Sequence, residues 1–230
     1  MHNMEAIAAK TLKQYGINQL PVDLDLLAEK LDCIILSYCK GQKFIKEAGL
    51  LDKCAHRNGI AVHTEMGYRI FYNGNLSFDE KQFVVAHELA HIILHLKNAG
   101  RIIGEHEDPL QQKKQDQEAN ELGLYLLAPK PVLFRAGICT PREVAQATQL
   151  GQSHAREIAG ELAEYTSGRD FSAIDEALCQ QFSEYIDNCR SYRYYDRNRL
   201  IKRLLTGFAA VFVIAGAAFF FFQLIRILSL

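Results

Sequence analysis

Apolar and polar positions change period several times along the chain. Glu5 to Gln14 has helix-forming composition and closes at Tyr15-Gly16, and Pro21-Val22-Asp23 opens a second helix through Leu31 with Asp23 as its N-cap. Cys33 to Ser37 reads as a short buried strand. Weaker strand patterns follow at Ala48 to Leu51, Gly59 to His63 and Tyr68 to Tyr72, separated by Gly, Asn and charged residues. Ser77 and Glu80 form a capping box that starts a helix to about Lys97, apolar over most of its circumference (Phe83, Val84, Val85, Leu89, Ile92, Ile93). A further helix is expected over Gln115 to Leu127, with Ala119, Leu122, Gly123 and Leu126 as its apolar stripe. The order helix, helix, small sheet, helices predicts an α+β fold that is mostly helical.

Thr140-Pro141-Arg142-Glu143 has the form of an N-cap with proline at the first helical position. It leads a helix to about Thr148, a Gly151-Gln152-Ser153 turn and a helix to about Tyr165. The pair is helix-turn-helix-like. Basic residues are sparse there (Arg142, Arg156) among Glu143, Glu157, Glu161 and Glu164, which favours packing or substrate docking over DNA.

The last stretch differs from all of this. Leu204 to Ile225 is 22 residues without a charge, a helix of roughly 33 Å at ~1.5 Å per residue against a hydrocarbon core of ~30 Å. It is therefore expected to be a single transmembrane helix. Arg190, Arg193, Arg197, Arg199, Lys202 and Arg203 precede it and only Arg226 follows, so the positive-inside rule puts the large N-terminal part in the cytoplasm and the C-terminus outside. Met1 to Lys10 lacks the pattern of a signal peptide. The organisation expected is a main α+β domain over 1–135, the helix-turn-helix-like extension over 136–168, a basic helical linker over 169–203 and the membrane helix over 204–225.

Composition changes the picture little. A chain of 230 residues, 49% apolar with net charge −1, can bury one sizeable core and has no basic excess of the kind that phosphate backbones require, so direct nucleic-acid binding is not expected. The six cysteines include no C-x-x-C pair and are expected to be free thiols.

Chemistry concentrates in His87-Glu88-Leu89-Ala90-His91. Histidines four apart on a helix project about 40° apart in azimuth, within reach of one metal ion, and the glutamate after the first points about 100° round, near the metal without ligating it. Zn2+ with three protein ligands keeps a position open for water and acidifies it, and Glu88 is placed to take the proton as a peptide carbonyl is attacked. An unpaired Glu88 on so apolar a helix would be costly for no return, which argues against coincidence. For the third ligand, the metzincin extension is excluded, because Leu94 and Lys97 stand where it wants Gly and His. His95 is placed to line the pocket, and the cluster Glu105, His106, Glu107 and Asp108 reads as a solvent-exposed loop. On the next helix Asp116 and Glu118 flank the apolar stripe on opposite sides, whereas Glu121 points to solvent; periodicity does not choose between Asp116 and Glu118.

The run Phe83 to His91, followed by Glu118-Ala119-Asn120 and Leu126-Leu127-Ala128-Pro129, resembles the ImmA/IrrE family of bacterial metallopeptidases. Gly16-Ile17, Pro21-Val22-Asp23 and Leu27-Ala28 are similar to it as well, so the resemblance covers about Glu5 to Tyr165. It implies a zincin-like fold with a thermolysin-like helical core, Glu118 as third metal ligand beside His87 and His91, and a protein substrate, typically a helix-turn-helix transcriptional repressor. The function expected is thus a membrane-tethered zinc endopeptidase acting on a cytosolic regulatory protein. The alternative is a non-catalytic, zinc-stabilised interaction protein that binds a repressor or DNA.

Overall fold

The computed structural model describes residues 4–95, 102–166 and 171–194. The chain divides into two compact units, Met1–Ile186 and Asp187–Leu230. Of the second, residues 187–194 are described, and they are helical.

Helices α1 (Met4–Gln14) and α2 (Leu24–Lys30) precede strand β1 (Cys33–Ser37). Asp23 caps α2 as its spacing predicts, its Oδ1 accepting the Leu26 N–H at 2.9 Å. Two short helices follow, α3 (Gln42–Glu47) and α4 (Leu51–His56), where the sequence pattern predicts a strand at Ala48 to Leu51. The difference has a local cause. Gly49, at φ +69°, closes α3, with the Gly49 N–H bonded to the Lys46 carbonyl and the Leu50 N–H to that of Ile45. That helix-terminating pair of hydrogen bonds uses the glycine's left-handed conformation and removes the segment from any ladder.

Strands β2 (Gly59–Thr64) and β3 (Gly67–Tyr72) complete a three-stranded sheet in the order β1-β3-β2, with β3 parallel to β1 and antiparallel to β2. Register puts Ile60 and Val62 opposite Phe71 and Arg69, on the face covered by α3 and α4. There Ile45, Leu50, Ile60, Val62, Phe71 and Ile102 form one buried cluster. The intervening positions Gly59, Ala61 and Ile70 turn to the other face, against the long helix α5 (Phe78–His95). Beyond the sheet, the Ile103 N–H donates to the Ala61 carbonyl at 2.9 Å and Ile102 bridges Val62, so Ile102 and Ile103 lie along the outer edge of β2.

The expected capping box starts α5: Ser77 N–H and Oγ both donate to Glu80 Oε2, at 2.9 and 2.7 Å. Helix α6 (Pro109–Leu127) packs along α5, and it begins earlier than Gln115 because Asp108 caps it, accepting the Leu110 N–H at 3.0 Å with proline at the first position. The first two turns of α6 are polar and solvent-facing, so an apolar stripe could not reveal them. Gly123 lets the two backbones close: a Cβ there would lie 3.2 Å from the His87 nitrogen.

Among the described residues of the first unit, α7 (Lys130–Arg135), α8 (Pro141–Thr148), α9 (Gln152–Thr166) and α10 (Ala173–Gln181) follow. The Thr140/Glu143 capping box starts α8, and left-handed Gln149 (φ 59°) turns the chain into α9. Buried Lys130 ties this part together. Its ammonium lies 2.6 Å from Glu5 on α1 and 2.7 Å from Glu161 on α9, over the Tyr125 ring at 4.5 Å.

The expected single transmembrane helix, and with it placement as a single-pass protein of the cell membrane, is corrected: among the described residues no helix is long and apolar enough to cross a membrane. The two longest, α5 and α6, have the length but carry charged and polar side chains from end to end, Asp79, Glu80, His87 and Glu88 in one, Lys113, Lys114, Asp116 and Glu118 in the other. The segment 204–225 itself lies outside the described residues. The fold that stands is α+β, mostly helical, with a small mixed sheet.

Candidate metal centre

Helices α5 and α6 and the edge strand β2 enclose a cleft of about 400 Å³, lined by His87, Glu88, His91, Asp116 and Asn120 together with Arg57, Gly59 and Gln112. Two α5 residues one turn apart present their rings to it. His87 Nε2 and His91 Nε2 lie 3.0 Å apart, and Asp116 Oδ1 is 3.4 Å from the latter. One ligand atom from each of these three residues falls within 4.8 Å of the others, the spacing of a shared metal site.

The protonation states suit a cation. Burial, and then the neighbouring His91, push His87 down to about 4 from the ordinary 6.5, so its imidazole is neutral near pH 7. The contact with His91 holds Asp116 below the usual carboxylate value, and Gln112 adds a hydrogen bond of 2.9 Å to its Oδ1. A neutral imidazole and an ionised carboxylate thus converge with His91, a donor set that fits zinc.

Glu88 lies between α5 and the sheet. It is 6% exposed, and burial raises it from 4.5 to about 7, against the opposing pull of His91, Arg57 and the Ala61 backbone. Gly59 makes the room: a Cβ there would meet Glu88 Oε1 at 2.8 Å and Val84 at 2.6 Å.

The structure does not bring Glu118 to the two imidazoles. Its carboxylate faces His95, with Oε2 3.9 Å from Nε2, and Lys114 at 4.0 Å. Asp116 and Glu118 are two residues apart on α6, about 200° in azimuth, so only one can face His87 and His91. His95 itself stays on the flank of the site, its ring 5.5 Å from that of His91. The acidic cluster takes no part: Glu105 pairs with Lys53 and, at 3.5 Å, with Arg57, while Asp108 caps α6.

Sequence reasoning missed the residues that shape the cleft. Arg57 and Gly59 enter from the α4–β2 junction, and Gly104, at φ +75°, sits so close to His91 that any Cβ there would collide with Nδ1. The one available signal for Gly104 was a glycine in a charged loop, which by itself marks only a turn. Phe83, on the cleft wall, packs against His154 of α9 with ring centroids 4.3 Å apart, so the helix-turn-helix-like pair lies beside the site.

A histidine pair and a carboxylate from two packed helices, with a buried glutamate beside them, form a group that could hold a metal ion. Residues 48–137 match the family model of the IrrE N-terminal-like domain, Peptidase M78. No curated protein and no solved structure matches the chain. The match of this domain points to a metallopeptidase-like or regulatory function.

Proposed function

We propose that the protein is a zinc-dependent endopeptidase that hydrolyses a peptide bond in a regulatory protein, by family resemblance a helix-turn-helix transcriptional repressor. The convergence of His87, His91 and Asp116 in one cleft beside a buried Glu88 carries this reading. His87, His91 and Asp116 would hold the ion, and zinc bound there supplies Lewis acidity that polarises a carbonyl and acidifies water.

The remaining work falls to the chain. Glu88 accepts a proton from water as the oxygen adds to the carbonyl carbon, holds it in a pocket where burial favours the protonated form, and returns it to the departing amine as the C–N bond breaks. Arg57, on the cleft wall, offers donors to substrate carbonyl oxygens, since its contact to Glu105 is long, at 3.5 Å, and engages one guanidinium nitrogen.

The test is a comparison of protein N-termini in cells expressing the full chain or its Glu88→Gln variant, with zinc content measured on both purified proteins. New termini that depend on Glu88, with one zinc per chain in both, are expected. Identical termini, or wild-type protein without stoichiometric zinc, would overturn the reading.

A further inference from the structure

Among the residues facing the cleft, Asn120 has a contact that the proposed reaction does not use. Its Oδ1 lies 2.8 Å from His87 Nδ1, on the side of the ring away from the ligand atoms. The hydrogen atoms of this corner can be assigned in sequence. Asp116 Oδ1, an acceptor, approaches His91 Nε2 at 3.4 Å, which places a proton on that nitrogen. His87 Nε2, 3.0 Å from the same nitrogen, must then accept, so it carries a lone pair. An imidazole whose Nε2 accepts carries its proton on Nδ1, and the group facing that proton must be the amide oxygen of Asn120 and not its NH2. Each contact forces the next, independently of how the amide was oriented.

We propose that Asn120 is a positioning residue that locks His87 in the Nδ1–H tautomer and so keeps Nε2 available to a metal ion. The inference rests on the metal-binding reading of the site. His91 has no such lock among the described residues: its Nδ1 is buried without a hydrogen-bond partner there, against Gly104. The single proton inside the ligand triangle therefore belongs to His91, and an arriving cation need displace only that one, while His87 is ready beforehand. A hydrogen-bonded partner on the far nitrogen also fixes ring orientation, and loss of such partners commonly weakens metal binding by about 10- to 100-fold.

Asn120 is exposed, so its replacement leaves the core intact. Long-range 15N–1H correlation spectra of the metal-free full chain at pH 7 should show His87 protonated on Nδ1, and Asn120→Ala should lose that signature. Zinc affinity, measured by chelator competition, should fall about 10- to 100-fold in Asn120→Ala and stay within about threefold of wild type in Asn120→Asp, which keeps the acceptor. An Nε2–H signature for His87 in the wild type, unaltered zinc affinity in Asn120→Ala, or loss in Asn120→Asp equal to that in Asn120→Ala would overturn the proposal. Should the wild type bind no zinc, the metal reading fails on its own, and the spectra still decide the tautomer.

Discussion

Glu88→Gln changes one atom type in a buried pocket and should change the pH dependence of stability. In the metal-free protein Glu88 titrates at about 7 and an unperturbed glutamate at 4.5. Because the folded value is the higher one, the folded state holds the proton more tightly. The stabilisation this gives is complete below pH 4.5 and is lost as pH rises through about 7. At about 1.4 kcal/mol per tenfold change in acid constant, the loss is about 3 kcal/mol. The amide has no charge to desolvate and keeps the volume, so the variant escapes this loss. His87 and Asp116 titrate in both proteins and cancel in the difference to first order. Urea titrations in the presence of a chelator, from pH 4.5 to 8, should therefore show the variant gaining about 3 kcal/mol on the wild type, or roughly 6–12 °C in melting temperature for a domain of this size. A difference that stays flat across this range would refute the burial argument and mean that water reaches Glu88 in the free protein.

Other outcomes follow from the same geometry. Asp116→Ala should weaken zinc binding at least tenfold and Glu118→Ala by no more than about threefold, measured by chelator competition; the reverse order would mean that α6 turns on loading. Gly104→Ala should cost metal affinity of the same order through displacement of His91, on top of about 1 kcal/mol for a Cβ in left-handed backbone, read by competition and by denaturation in parallel. Lys130→Met should destabilise the first unit by about 3 kcal/mol in urea, since Glu5 and Glu161 lose a buried partner, with the partial exposure of both carboxylates keeping the cost at the low end for such pairs. Zinc affinity should be unaffected by this last change.

Elements whose signals are local were legible in the sequence. Asp23, Ser77/Glu80 and Thr140/Glu143 announce helix starts because a cap is a contact within four residues, and Gly59–Thr64 and Gly67–Tyr72 show as short apolar runs because neighbouring residues there are buried on both faces of the sheet. Ala48 to Leu51 misled because its apolar residues fit a strand as well as a helix end, and only the Gly49 conformation decides between them. The closeness of His87 and His91 was legible for the same local reason, a fixed spacing on one helix. What was not legible is everything that reaches the site from elsewhere: Arg57 and Gly59 from the α4–β2 junction, Gly104 from a loop, and His154 behind Phe83.

The third carboxylate shows where the limit lies. An amphipathic stripe reports which face of α6 is buried, but not how far the helix is slid along α5 or how it is finally rotated, and Asp116 and Glu118 flank the stripe equally. Sliding is set by the close approach at Gly123, where the α6 backbone meets the His87 nitrogen. Counting back from Gly123, Asn120 falls beside His87 and Asp116, one turn further, beside His91, so the same register that selects the carboxylate also delivers the amide. A substitution at Gly123 should therefore move both together. A methyl group there would stand 3.2 Å from the His87 nitrogen, and relief needs only a few tenths of an ångström. Gly123→Ala should accordingly bind zinc more weakly while keeping the order of the Asp116 and Glu118 variants, whereas Gly123→Val, which forces the helices apart, should abolish the difference between them.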